Sequence, residues 1–131
     1  MSNRLVIIPT YNEIENISQI IAAVFELPLD FHVLIVDDGS PDGTAIQVKS
    51  LQNQYPGKLF IEERTGKGGL GTAYIHGFKW ALKKHYDYIF EMDADFSHPP
   101  KDLIALFEAC DQGADLSVGS RYKKGINVVN W

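Results

Sequence analysis

The sequence predicts an α/β fold, with a mostly parallel sheet and helices on both faces. Three observations lead there. Short continuous apolar runs, Leu5-Val6-Ile7-Ile8, His32-Val33-Leu34-Ile35-Val36 and Tyr88-Ile89-Phe90, have the length and character of strands buried on both sides. Between them lie stretches whose apolar residues recur at i, i+3, i+4 and i+7, the spacing of an amphipathic helix. The two kinds of segment alternate along the chain, which implies parallel strands joined by right-handed crossovers.

At 131 residues the chain is one domain's worth, and 45% apolar with 22% charged residues is enough apolar material for a shared core. A net charge of −5, with no long run of Lys or Arg, argues against a nucleic-acid partner. Cys110 is the only cysteine, so no internal disulfide forms; its place in an apolar helical stripe predicts a small buried hydrophobe, and a reducing, cytoplasmic setting fits. The opening Met1-Ser2-Asn3-Arg4 leads into an apolar run too short for a signal peptide or a membrane span. A membrane therefore enters the reading only through a substrate, with the chain peripheral to it, or through a segment outside the chain.

The first strand is closed by Pro9. Asn12 with Glu15 three residues on has the form of a capping box, and Ile17, Ile20, Ile21, Val24 and Phe25 then mark one helix face. The loop between, Pro9-Thr10-Tyr11-Asn12-Glu13, sits where open α/β sheets bind ligands, beyond the carboxyl ends of their strands. A capped helix start accounts for Asn12 and Glu15 but leaves Tyr11 and Glu13 unassigned.

The second strand runs straight into Asp37-Asp38-Gly39-Ser40-Pro41-Asp42-Gly43-Thr44. Turn chemistry explains Gly, Pro, Ser and Asp in this stretch, but it does not require two carboxylates at a strand mouth. A carboxylate there can accept hydrogen bonds from a base or ribose, while Asp42 or Thr44 can cap the helix through Ala45, Val48 and Leu51. Lys58-Leu59-Phe60-Ile61-Glu62-Glu63 is a third strand, more polar and so nearer a sheet edge.

A glycine cluster, Arg64-Thr65-Gly66-Lys67-Gly68-Gly69-Leu70-Gly71-Thr72, opens a helix from about Ala73 to Lys84. Amides exposed by glycines at a helix start can cradle phosphate, with Arg64 and Lys67 as mobile positive charge; close packing of helix on sheet is the other use of such glycines. Gly66, Gly68 and Gly71 fit G-x-G-x-x-G, with Glu91 about twenty residues beyond, but that fingerprint belongs to the first strand-helix turn and here two such units precede it.

The fourth strand empties into Glu91-Met92-Asp93-Ala94-Asp95, followed by Pro99-Pro100 at the start of a helix marked by Leu103, Leu106, Phe107 and Cys110. Residues i and i+2 of an extended chain face the same way, so Asp93 and Asp95 can converge on one point. Two like charges that close require a positive object between them or one retained proton, and a hard divalent cation with oxygen ligands serves best. A solvated acidic turn is the plain alternative. Ala114-Asp115-Leu116-Ser117-Val118 reads as a fifth strand that opens into a loop at Gly119-Ser120-Arg121-Tyr122-Lys123, where Arg121 can pair with phosphate or with the acidic site, or belong to a basic surface turn. His76 and His85 read as surface or packing residues, and His98 is near enough to the acids to support them. Ile126 to Trp131 ends without a closing element, so residues 1–131 read as a single domain forming the N-terminal part of a longer catalytic one.

Taken together, Pro9-Thr10-Tyr11-Asn12-Glu13, Val36 through Thr44, Gly68-Gly69-Leu70-Gly71-Thr72-Ala73, Asp93-Ala94-Asp95 and Gly119-Ser120-Arg121-Tyr122 resemble the family-2 inverting glycosyltransferases, most closely those that act on dolichyl or polyprenyl phosphate. The likeness spans essentially the whole chain, in order. It implies a GT-A (Rossmann-like) fold, a nucleotide-sugar donor, best taken as GDP-mannose, and a polyprenyl-phosphate acceptor in a membrane. By the same likeness Pro9, Tyr11, Glu13, Val36 and Asp38 line the nucleotide pocket, and Asp93, Ala94 and Asp95 hold Mg²⁺ or Mn²⁺ and the diphosphate. Arg121 contacts the donor or leaving group, with Lys67 beside the phosphates. Ser97 stands where relatives often carry a glutamine, which leaves the third metal ligand open. A family-2 enzyme using a UDP-sugar, a sugar nucleotidyltransferase, an NAD-binding domain and an inactive donor-binding fragment are the competing readings.

Overall fold

Leu5, Val6, Ile7 and Ile8 are completely buried because their strand, β1 (Arg4–Thr10), lies inside the sheet with a neighbour on each side. The computed structural model describes residues 4–65, 69–95, 99–111, 120–123 and 126–130, with side chains in 4–65, 72–95 and 99–108. Among them the elements follow in the order α1 (Ile17–Phe25), β2 (His32–Asp37), α2 (Thr44–Leu51), β3 (Leu59–Glu63), α3 (Gly69–Lys83), β4 (Tyr88–Glu91), α4 (Asp102–Asp111), β5 (Ser120–Lys123) and β6 (Ile126–Asn130). The strand order across the sheet is β3-β2-β1-β4-β6-β5. Every pairing is parallel except β5 with β6.

The period of two along each strand divides the core. Val6, Ile8, Val33, Ile35 and Phe90 face Ile17, Ile20, Ile21 and Val24 of α1, Val48 of α2, and Leu103 and Phe107 of α4. Leu5, Ile7, Leu34, Val36 and Ile89 point the other way, onto Ala73 and Ala81 of α3. The expected helices on both faces are present, and the polar third strand is the sheet edge, as expected.

Among the described residues one helix, α3, covers the second face, and Gly77 lets it come close. A Cβ there would lie 2.7 Å from Cγ2 of Ile7, a stiff β-branched side chain with no room to retreat. The packing glycine of α3 is thus Gly77, in mid-helix; Gly66 and Gly68 lie outside the described residues.

Four expectations are corrected. Helix α1 starts at Ile17 after Asn16, with no side-chain cap, while Asn12 takes φ 57° and its amide is held by another loop; a capping box at Asn12 and Glu15 therefore does not form. Residues 120–123, expected in a loop, form an edge strand, where its polar and basic composition is tolerated once β6 supplies the hydrogen bonds. Ile126–Asn130, expected to close nothing, is the strand that pairs with β4. Helix α3 begins four residues before the expected Ala73, because Gly69 to Thr72 already continue its turns. The strand expected at 114–118 lies outside the described residues, as does the side chain of Cys110.

Replacing Gly77 with Ala should lower stability by up to about 2 kcal/mol, the overpacking cost of roughly 1–3 less the gain of about 1 from removing a helical glycine. Urea unfolding of the two proteins, followed by circular dichroism, measures the difference.

Candidate functional site

The sequence places polar loops after β1, β2 and β4, and the topology brings them to one edge. The connection through α1 leaves β1 on one face of the sheet, and that through α3 reaches β4 on the other. The carboxyl ends of β1 and β4 therefore flank the point where the chain's winding reverses, the usual crevice of such sheets.

Asp37 and Asp38, adjacent on the strand, point in different directions and have different partners. Asp37 is 1% exposed. Its Oδ1 accepts from the hydroxyls of Thr10 (2.6 Å) and Ser40 (2.6 Å), and its Oδ2 from the amides of Gly39 (3.1 Å) and Ser40 (3.0 Å). Ser40 Oγ in turn accepts from the Asn12 amide (2.9 Å), Thr44 Oγ1 from the Glu13 amide (3.1 Å), and Asp42 Oδ2 from the Ile14 amide (3.1 Å). The loop carrying Tyr11 and Glu13 is thereby fastened along its backbone to the loop after β2. Asp42 also accepts from the Thr44 amide at 3.0 Å, at the first residue of α2, but the N-cap position is Gly43 and carries no side-chain cap, which corrects the expectation of Asp42 or Thr44 as the cap.

Asp38 instead forms a two-pronged pair with Arg64, Nε to Oδ1 at 2.6 Å and Nη2 to Oδ2 at 2.8 Å, and Arg64 Nη1 donates to Thr72 Oγ1 at 3.1 Å. This corrects the expectation of Arg64 as mobile charge: planar bidentate geometry and partial burial hold it in place. The hydrogen bond to Asp38 raises the guanidinium pKa further.

At the tip of β4, Asp93 Oδ1 accepts from the Tyr74 hydroxyl at 2.8 Å, Ala94 is buried, and Asp95 is exposed. Burial, then the bond to Asp93 and the charges of Asp93, Glu91 and Asp95, push the Tyr74 phenol well up, so it stays protonated. Burial likewise raises the Glu13 carboxyl, opposed by a hydrogen bond with Asn16 and reinforced by repulsion from Asp95, Asp42 and Asp93. Glu13 thus feels both acids of the β4 tip across the crevice.

Tyr11 is 45% exposed beside Glu13. Pro9 and Val36 are buried and paired in register, so they have backbone rather than side chain to offer a ligand. Lys67, Ser97 and His98 lie outside the described residues, and Arg121 is placed in β5 without its side chain. His76 meets Glu62 at 3.0 Å on the partly exposed side of α3. Sequence reasoning missed Tyr74 and the structural use of Asp37. An acid at a strand mouth, followed two residues on by Gly39-Ser40, was the available signal for the latter.

The profile described as "Glycosyl transferase family 2" matches residues 5–131. The chain belongs to this family. It is 50% identical over 127 residues to polyprenol monophosphomannose synthase of Mycolicibacterium smegmatis, covering 97% of this chain and 48% of that protein. It is 46% identical over 127 residues to undecaprenyl-phosphate mannosyltransferase of Micrococcus luteus, with 97% and 51% covered. Among solved structures, the mannosyltransferase PcManGT of Pyrobaculum calidifontis, in complex with GDP-Man and Mn²⁺, superposes with TM-score 0.68 at 29% identity over 90% of this chain and 34% of that one. TarS 1-349 of S. aureus with UDP-GlcNAc gives 0.62 at 27% identity, over 86% and 32%. The family-2 chain described here therefore has the GT-A fold, and it spans about half the length of the first two relatives.

Truncating Asp37 to Ala removes the acceptor of two hydroxyls and two amides, leaving that of Thr10 stranded in a buried place, and should cost on the order of 3 kcal/mol in chemical unfolding. Glu13→Gln tests the crowding of acids. Because the folded-state pKa of Glu13 is raised, its ionised form opposes folding at pH above the ordinary value of 4.5. The Gln variant should melt higher than wild type at pH 7, and the difference should vanish as the pH falls below that value.

Proposed function

We propose that this chain is the donor-binding part of an enzyme that transfers mannose from GDP-mannose to a polyprenyl phosphate, with inversion at the anomeric carbon. What supports this is the placement of Glu13 after β1 and of Asp93 and Asp95 after β4, on adjacent strands at the switch point, close enough for Glu13 to feel both charges. The names of the two curated relatives point to the same sugar and acceptor class. The half-length match supports reading residues 1–131 as part of a longer catalytic domain.

The site fits a divalent cation such as Mn²⁺ or Mg²⁺. Hard carboxylate oxygens are the donors such ions prefer, and no group of three or more His, Cys, Asp or Glu among the described residues could cage one. An ion held by one or two carboxylates and completed by substrate phosphates is the arrangement those ions commonly take. When bound it would neutralise charge on the diphosphate. Asp95, assisted by Asp93, would hold it; Tyr11, Glu13, Asp38 and the backbone of Pro9 and Val36 would line the nucleotide; Lys67 and Arg121 would meet the phosphates or leaving group.

In the transfer, an acceptor phosphate oxygen forms a bond to the anomeric carbon from the face opposite the diphosphate, and the bond from that carbon to the diphosphate oxygen breaks, releasing GDP. A phosphate acceptor is already anionic at neutral pH, so no side chain has to remove a proton from it. No helix among the described residues is long and apolar enough to cross a membrane, and the lipid acceptor would be met from the membrane surface.

Calorimetry with GDP tests the reading: wild type should bind more tightly with Mn²⁺ than with EDTA, and Asp95→Ala should lose that gain. Binding equal in the two buffers, or undiminished in the variant, would refute it. Stronger binding of UDP-GlcNAc than of GDP-mannose would move the donor to the UDP-sugar class.

A further inference from the structure

We propose that Tyr74 is a positioning residue for the cation site: its hydroxyl holds the Asp93 carboxylate in the orientation from which it meets the metal. The inference rests on the proposed role of Asp93 and adds to it a residue on a different element. Asp93 lies beyond the paired part of β4, and the Met92 amide, donating to the Ile7 carbonyl at 3.0 Å, is a last tie between the β1 and β4 main chains. Past that point the sheet no longer dictates where the side chain goes. The 2.8 Å bond from Tyr74 to Oδ1 does.

The donor is itself well anchored. Tyr74 packs against the core of the second sheet face, in a helix that presses on β1 through Gly77, three residues further along. Its hydroxyl is therefore referred to the strand next to β4 and not to a loop. The need for such a tie comes from charge: Asp93 stands one residue from Asp95, and Glu13 feels them both. Repulsion turns an unrestrained carboxylate away from its neighbours, whereas a neutral donor on one oxygen restrains it and commits that oxygen. Asp93 is left to act mainly through Oδ2, as a one-oxygen ligand. Partners of this kind behind a metal ligand typically alter affinity by about 10–100-fold when removed.

The test is calorimetry on the full chain, titrating Mn²⁺ at saturating GDP and, separately, GDP in EDTA. Tyr74→Phe, which keeps the ring and removes only the donor, should weaken Mn²⁺ about tenfold and leave GDP in EDTA unchanged. In an Asp93→Asn background the same change should have no further effect on Mn²⁺. Equal Mn²⁺ affinity in wild type and Tyr74→Phe overturns the positioning role alone. So does an equal loss with and without metal, which marks a general disturbance, or a full Tyr74→Phe effect that persists in the Asp93→Asn background. If Tyr74→Phe does not fold, Tyr74→Met, which removes the donor and keeps flexible apolar bulk, replaces it, and unchanged Mn²⁺ affinity in that variant counts against the role. A wild type with no Mn²⁺-dependent binding of GDP removes the donor-site reading, and this inference with it.

Discussion

The arrangement depends on one buried carboxylate. Asp37 is removed from water at the end of β2, and its two oxygens are satisfied by Thr10 at the end of β1 and by Gly39 and Ser40 in its own loop. A carboxylate in that position would oppose folding if it were left bare. Supplied with hydroxyl and amide donors, it fixes the ends of two adjacent strands and the turn between β2 and α2. Ser40 then passes the constraint on, because the oxygen that donates to Asp37 also accepts from Asn12. The left-handed backbone of Asn12 is part of the same arrangement. It turns the chain so that successive amides of residues 12, 13 and 14 face the neighbouring loop, and Tyr11 and Glu13 remain beside the crevice.

Helix α3 performs the corresponding task for the other strand ends. Thr72 accepts from Arg64, which grips Asp38 after β2, and Tyr74, two residues later, donates to Asp93 after β4. One helix start therefore reaches two acidic tips separated in the sheet by β1. Gly77 is what lets it sit close enough to do so. Packing at the centre of the helix and hydrogen bonding at its first turns are parts of one fit, and a shift of α3 would disturb Asp38 and Asp93 together.

The sheet was legible because its signal is local: Leu5-Val6-Ile7-Ile8 and Val33-Leu34-Ile35-Val36 are apolar at every position, which only burial on both faces explains. The acids at strand ends were legible as positions, because each follows directly on an apolar run, although Asp93 and Asp95 taken alone also fit a solvated acidic turn. Asn12 was misread because Asn with Glu three residues on has the same spelling whether it caps a helix or takes a left-handed turn against a neighbouring loop. Arg64 was misread because its partner is 26 residues away. Residues 120–123 and 126–130 became strands only through pairing with each other and with β4, information that no window of sequence contains. Tyr74 stands in a helix whose apolar pattern explains it fully as packing, so nothing in the sequence singled out its hydroxyl.

The charges of the crevice decide what can enter it. Glu13 is pushed upward first by burial and then by the charges of Asp95, Asp42 and Asp93. A diphosphate brought there would meet the charges of Glu13, Asp42, Asp93 and Asp95. Arg64 is committed on both prongs to Asp38 and cannot turn to the phosphates without breaking that pair. On the proposed donor role, the positive charge needed beside a nucleotide-sugar would arrive with the ligand or from Lys67 and Arg121. On the proposed function, an acidic crevice of this kind favours a diphosphate that carries a cation over a bare one. That selectivity follows from the same carboxylates that would be a liability in any site meant to bind an anion alone.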